Sequence, residues 1–256
     1  MGAFISLSES PFHGSLGRSR YPGEWDDQQV MSPTRVRFTP ASGALSGVDT
    51  WFYYYRALNN LLSAGGVSQI GVKTAAVATF DGFNWNDHRA VNPVIVNNFP
   101  GAPAPVAGGT YNDFRAVVYN NKVRLFISIY DNPEGSNNNR TAIFESVNGL
   151  TFVYVGEATM AGGDLGRTIG AIANVGGTLV SLVSIANGAG GGNGRQKWIS
   201  TDGGMTWLDR GLAIPVGTDG DWNGLTYLGG TMELIGDYYV ALLHGMPFIG
   251  YSSGTT

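Results

Sequence analysis

Apolar and polar residues alternate with a period of two through most of the chain, and Gly, Asn, Asp and Pro repeatedly cut the alternation. Period two places successive side chains on opposite faces of an extended strand. Strands are predicted at 3–8, 31–38, 50–58, 71–80 and 93–96, then at 113–119, 123–130, 141–146 and 153–156. A third group covers 168–175, 178–186, 195–199 and 208–214, and a fourth 232–235, 238–244 and 248–251. The clearest signal is 50–58, aromatic at nearly every position, which suits a pleated surface covered on both faces. No stretch holds a helical period for long. The best, 56–62, is short and followed by the pair Gly65-Gly66.

One turn gives the pattern its register. Ser200-Thr201-Asp202-Gly203-Gly204-Met205-Thr206-Trp207 lies between two predicted strands. An Asp side chain can accept backbone N–H groups two residues on, Gly supplies φ > 0, and the Trp returns a large ring to the sheet. A form one residue shorter stands at 79–85, ending in Trp85, and a degenerate one at 146–152, with Asn148 for Asp and Phe152 for Trp. The turns recur at roughly 50 to 70 residues, about four strands apart. Units of that kind predict an all-β fold, a β-propeller of one domain over residues 1–256, with four repeats counted and four or five blades. The last unit lacks a strand and 3–8 is a spare one, so the N-terminal strand is expected to close the ring and remove two sheet edges.

The 200–207 turn resembles the Asp-box, Ser-x-Asp-x-Gly-x-Thr-Trp, of sialidases and related BNR-type propellers. Trp25-Asp26-Asp27 before a strand, the aromatic strand 51–55, Ala-Thr-x-Asp-Gly-x-x-Trp ending at Trp85 and Asn92-Pro93-Val94 are similar to the first blade of five-bladed glycoside hydrolases of the arabinanase, xylosidase and fructosidase type. The resemblance implies an Asp base in the first blade, a second Asp in the next and a Glu acid in the third, all facing the axis. Asp26 or Asp27 matches the first and Asp113 the second. The third unit has no carboxylate at 168–173, where the acid is expected, and Glu24, Glu145 and Glu157 fall in a loop or on outer strands. Glycoside hydrolysis needs two carboxyl groups, one of them protonated, so the resemblance weighs against an enzyme here. The sialidase pattern also fails, because no Arg-Ile-Pro-like motif stands near the start; Thr34-Arg35-Val36-Arg37 is the nearest stretch.

Asp26, Asp113, Asp164 and Asp221 each stand where a unit's first strand begins, with Arg115 and Arg167 two or three residues on. Two readings are open. The carboxylates converge on the axis as a polar pocket for sugar hydroxyls or a cation, or each caps the loop leading into its strand. Trp25, Trp222 and Tyr111 are placed to stack on sugar rings, whereas Trp51, Trp85, Trp207 and Phe152 are expected in the core. His13, His88 and His244 show no metal-ligand spacing. The loop 131–139 carries oxygen ligands enough for Ca²⁺ but also reads as a solvated hairpin loop. No other cofactor is expected. The Gly/Asn run 188–194 lacks the Lys-Ser/Thr and following helix of a phosphate loop.

Composition narrows the partners. Only 13% of residues are charged and the formal net charge is −4, against nucleic acid. There is no Cys among the 256 residues, so disulfides and Cys metal sites are excluded; 39 Gly suit many tight turns. No signal peptide and no apolar run of membrane-helix length is seen. The myristoylation pattern at Gly2 and Ser6 competes with the strand at 3–8. Three functions follow: a non-catalytic propeller for recognition or assembly, binding glycan or other protein subunits in a phage tail, virion or extracellular surface; a glycoside hydrolase using Asp26 or Asp27 with Asp113; or a purely structural subunit, homo-oligomeric or within a larger assembly.

Overall fold

A computed structural model describes residues 29–58, 68–82, 84–88, 90–96, 98–105, 110–130, 140–161, 168–186, 192–215, 226–235 and 238–246. The expected strands at 3–8 and 248–251, and so the closure of the ring by the first of them, lie outside these residues, as does the loop 131–139.

The described chain is almost wholly β. The first sheet runs β1 (Gln29–Phe38), β2 (Thr50–Leu58), β3 (Ser68–Ala76) and β4 (Asn86–Asp87) in that order. The second runs β5 (Thr110–Tyr119), β6 (Lys122–Tyr130), β7 (Arg140–Ser146) and β8 (Val153–Glu157). The third runs β10 (Thr168–Val175), β11 (Thr178–Ala186), β12 (Gly192–Ser200) and β13 (Thr206–Ile214). The two-residue β9 (Thr159–Met160), from the link between sheets two and three, adds to β13 in parallel. The fourth sheet shows β14 (Thr226–Ile235) and β15 (Tyr238–Met246). Each strand pairs antiparallel with the next, as an up-and-down meander requires. The first strands lie beside one another in chain order, β1 against β5, β5 against β10 and β10 against β14.

Two expected strands are placed differently. Residues 77–79 form a 3-10 turn, so β3 stops at Ala76. The fourth strand of the first sheet is Asn86–Asp87, where 93–96 was expected. Beyond the cis Asn92–Pro93 peptide, Val94 and Ile95 touch β3 only through a bridge at Ile70. The Asn92 side chain supplies the missing ladder: its Nδ2 donates to the Val72 carbonyl at 3.0 Å, and its Oδ1 accepts the Val72 N–H at 2.9 Å. A side chain in place of a peptide group leaves no trace in a period-two pattern.

The core sits between the sheets. Val36, Phe52, Tyr54 and Val72 of the first meet Phe114, Ala116, Leu125 and Ile127 of the second. Val117, Phe126 and Ile143 of the second meet Ile169, Leu179, Trp198 and Trp207 of the third. Both faces of the second sheet are thus buried, which is why the middles of β6 and β7, Leu125-Phe126-Ile127 and Ala142-Ile143-Phe144, are apolar on both sides.

The turns do more than hold their own hairpins. In the third sheet Ser200 Oγ donates to Asp202 Oδ1 at 2.7 Å and accepts the Gly204 N–H at 2.8 Å, while Asp202 Oδ1 accepts the Thr206 N–H at 2.9 Å. Trp207 is fully buried and its Nε1 donates to the Gly204 carbonyl at 2.8 Å. The main chain of this turn is buried at Gly203 and Gly204 against the second sheet, where Arg124 donates to the Gly203 carbonyl. Gly204, at φ 96°, faces the Phe126 ring, and a Cβ there would overlap it. The 146–152 turn repeats this against the first sheet. Asn148 Oδ1 accepts the Leu150 and Thr151 N–H groups at 2.9 and 2.8 Å, and the Tyr54 hydroxyl donates to the Gly149 carbonyl at 2.8 Å. In the 79–85 turn Asp81 accepts the Asn84 N–H at 2.9 Å, but no described residue lies within 4 Å of the site of a Gly82 Cβ. Trp85, expected in the core, is half-buried on Phe80 and Tyr53, and Trp51 is half-buried with the Arg35 guanidinium 4.9 Å from its ring centre.

Candidate functional site

Each sheet has two ends. The Ser200 and Ser146 turns and the tight hairpins at 120–121 and 176–177 mark one end. At the other, the first strands begin.

The first strands share a device at this second end. Pairing with the second strand slips between Met31 and Thr34 in β1, Tyr111 and Phe114 in β5, Thr168 and Ala171 in β10, and Leu228 and Thr231 in β14. Counted back from the strand ends, three slips close after four residues, at Thr34, Ala171 and Thr231, and the slip in β5 closes after five, at Phe114. The four bulges therefore stand within one residue of one level. A bulge leaves a residue out of the ladder, bends the strand and re-aims side chains.

Asp113 lies in the β5 bulge and is half-buried. It is inside the strand, which starts at Thr110, and not at the loop-to-strand junction where the sequence put it. Counting in the same way, the other sheets carry Ser32, Ile169 and Gly229 at its level, so Asp113 is the one carboxylate of the four positions. Asp26, Asp27, Asp164 and Asp221, with Trp25, Arg167 and Trp222, lie outside the described residues. Tyr111, expected as a platform for sugar rings, is instead buried, 6.3 Å from Phe144 between ring centres, with its hydroxyl 3.4 Å from the Pro103 carbonyl. Burial, reinforced by Tyr154 and opposed by Arg140, pushes its phenol up to about 12.

Arg115 follows two residues after Asp113 and points between sheets two and three, on the same face as Val117 and Phe126. It is 6% exposed. Its Nη1 donates to the Phe114 carbonyl at 2.6 Å, and its Nε has no hydrogen-bond partner. Burial pulls the guanidinium below its ordinary pKa, and the nearby Asp113 carboxylate opposes that pull. Two further buried arginines escaped the sequence reading. Arg56, opposite Ile70, faces the seam between sheets one and two; Arg195, opposite Ser184, faces away from the Trp198 side, toward the fourth sheet. Neither is free. Each described seam thus holds one buried arginine at the bulged half of the sheets. For Arg56 the signal in the sequence is an Arg inside an apolar run, Tyr-Tyr-Tyr-Arg-Ala-Leu; Arg195, in Gly-Arg-Gln-Lys, carries none.

The other carboxylates of the second sheet are engaged in ion pairs. Glu145 meets Lys122 at 2.6 Å and Arg124 at 2.9 Å, and Glu157 meets Arg140 at 2.6 Å. His88 lies 2.6 Å from the Thr74 hydroxyl, and burial lowers its pKa against the pull of Asp87. Among the described residues no group of His, Asp and Glu is arranged to hold a metal ion, and no helix is long and apolar enough to cross a membrane.

No protein-family profile and no curated protein matches the chain. Solved structures do. A glycosyl hydrolase from Bacteroides ovatus is similar with a TM-score of 0.63 at 16% identity, over 86% of this chain and 61% of that one. A structure from the GH130 family of mannoside phosphorylases, which contains glycoside hydrolases that target β-1,2 mannosidic linkages in Candida mannan, gives 0.59 at 17% identity over 86% and 61%. A family 117 glycoside hydrolase of Zobellia galactanivorans gives 0.54 at 13% identity over 90% and 70%. The chain spans about three-fifths of the length of the first two. At such identities the likeness establishes the fold alone, an all-β propeller.

Proposed function

We propose that this protein is a non-catalytic β-propeller that recognises glycan at the bulged end of its sheets and serves in recognition or assembly, as a component of a particle such as a phage tail or virion. The observation that carries the reading is a bulge in each of the four first strands, within one residue of one level, with the Asp113 carboxylate in one of them beside the buried Arg115. Bulges are enriched beside functional sites because they re-aim side chains, and a carboxylate is a strong acceptor for sugar hydroxyls. The names of the similar structures, glycoside hydrolases, favour a carbohydrate over other ligands. The three turns belong, in this reading, to the Asp-box class and serve the fold alone.

Hydrolysis would need a second carboxyl group near Asp113. At the bulge level Ser32, Ile169 and Gly229 provide none, and Glu145 and Glu157 sit on outer strands in ion pairs. The hydrolase reading rests on Asp26 or Asp27 and draws its support from the same similar structures. A glycan array on the full chain, followed by a reducing-end assay on every hit, separates the two. Binding without release of sugar is expected. Turnover that is lost in Asp113→Asn would replace the present reading with the hydrolase, and an array without hits would leave a structural subunit.

A further inference from the structure

We infer that Asn148 is a site of covalent modification, the hydrolytic deamidation of its side-chain amide, and that the seat of its turn on the first sheet keeps the reaction shut. The site lies at the opposite end of the sheets from the bulges and owes nothing to glycan binding.

Asn148 is followed by Gly149, the residue that hinders its own nitrogen least because it has no Cβ. In the reaction that nitrogen gives its proton to solvent and attacks Asn148 Cγ. A Cγ–N bond forms, the Cγ–Nδ2 bond breaks and ammonia leaves. Water then opens the imide at one of its two carbonyls, to aspartate or to isoaspartate. Half of this is set up in the fold. Asn148 Oδ1 accepts the Leu150 and Thr151 N–H groups at 2.9 and 2.8 Å and the Ser146 hydroxyl at 3.0 Å. Donors on a carbonyl oxygen polarise its carbon and hold the oxyanion that an attack would form.

The nitrogen is what the fold withholds. The Gly149 N–H is buried and donates to Ser146 Oγ at 2.8 Å, so its proton is not given up to solvent. The Gly149 carbonyl is held from the first sheet by the Tyr54 hydroxyl at 2.8 Å. The Phe52 ring stands where a Cβ on Gly149 would be, which leaves its backbone no room to turn. The loop 40–47 closes the other side, since a Cβ on Gly43 would lie 3.4 Å from Asn148 Cβ. The two products differ in consequence. Aspartate puts at 148 the carboxylate that Asp202 supplies in the third sheet, where it accepts the equivalent N–H groups. Isoaspartate lengthens the main chain by a methylene beside Gly149 and removes the carbonyl from the Tyr54 hydroxyl, which loosens the second sheet from the first.

The test incubates the full chain at mildly alkaline pH, native and in denaturant, and follows the peptide that holds Asn148 by mass spectrometry after proteolysis, with the two products separated by chromatography. The native chain is expected to react at least about tenfold more slowly than the denatured one. Tyr54→Phe and Ser146→Ala should each raise the native rate about fivefold, as for one lost hydrogen bond; Tyr54→Phe, which removes a single oxygen, carries the test if Ser146→Ala does not fold. Asp202→Asn weakens the matching turn of the third sheet and leaves this one whole, so it should not change the rate at Asn148. A native rate equal to the denatured one, or wild-type rates in the Tyr54 and Ser146 variants, would overturn the inference. So would an acceleration in Asp202→Asn as large as that in Tyr54→Phe, because the reaction would then follow general opening of the chain.

Discussion

The two ends of the sheets are built on opposite terms. At the turn end, main-chain groups are satisfied by nearby side chains and the apolar groups fit closely. Asp202 and Asn148 each collect backbone N–H groups, and the Gly203 and Gly149 carbonyls are captured by the preceding sheet. At the bulged end, pairing slips in every first strand and arginines are buried in the seams. Burying a charge costs several kcal/mol before compensation, and a bulge gives up ladder hydrogen bonds. The contrast teaches that stability and recognition are separated along the strands: one end latches sheet to sheet, and the latch lets the other carry groups that do not favour folding.

Substitutions should divide along the same line. The largest effect is expected for Trp207→Ala, which empties a fully buried site against Phe126 and removes the bond to Gly204. About 3–5 kcal/mol should be lost, read as a shift of the denaturant midpoint. Next comes Gly149→Ala. Its Cβ would meet the Phe52 ring, and the backbone stands at φ 75°. A loss of about 1–3 kcal/mol is expected from overpacking, and Gly82→Ala, with open space around it but φ 90°, should cost less.

Asp202 gives a smaller, pH-dependent effect. Desolvation raises its pKa, but hydrogen bonds from Thr206 and Ser200 together outweigh that and hold the carboxyl below its ordinary value of 3.8. A depressed folded-state pKa contributes stability that is present above the unfolded value and lost as pH falls through the folded one. Wild type should therefore hold Tm down to about pH 4 and then decline, while Asp202→Asn should start lower and lose that part of the acid slope. Tm measured across pH 2–7 checks it. A modest change in stability, about 1 kcal/mol, is expected for Asp113→Asn, because it removes the carboxylate whose field opposes the desolvation of the buried Arg115.

Much of the turn end was legible because its chemistry is local. Ser200, Asp202, Gly204 and Trp207 act within one octapeptide, so residue types and spacing carry the geometry. The strands of the second and third sheets were legible for the same reason. The latch was not, since Tyr54 and Gly149 are 95 residues apart. The bulges were not, because a slip in pairing belongs to two strands and neither sequence shows it alone. This is why Asp113 looked like one of four equivalent junction residues and lies instead within its strand, level with Ser32, Ile169 and Gly229. Tyr111 misled in a similar way: its position along the strand suggested the site, and the side of the strand on which it falls put it in the core.

The separation of the two ends is tested most directly by measuring Tm and glycan affinity together for Asp113→Asn and Asp202→Asn. The account predicts a crossed result, with Asp113→Asn losing mainly affinity and Asp202→Asn losing Tm at constant affinity. Affinity and Tm falling together in both variants, or an Asp113→Asn protein that binds as wild type does, would contradict it.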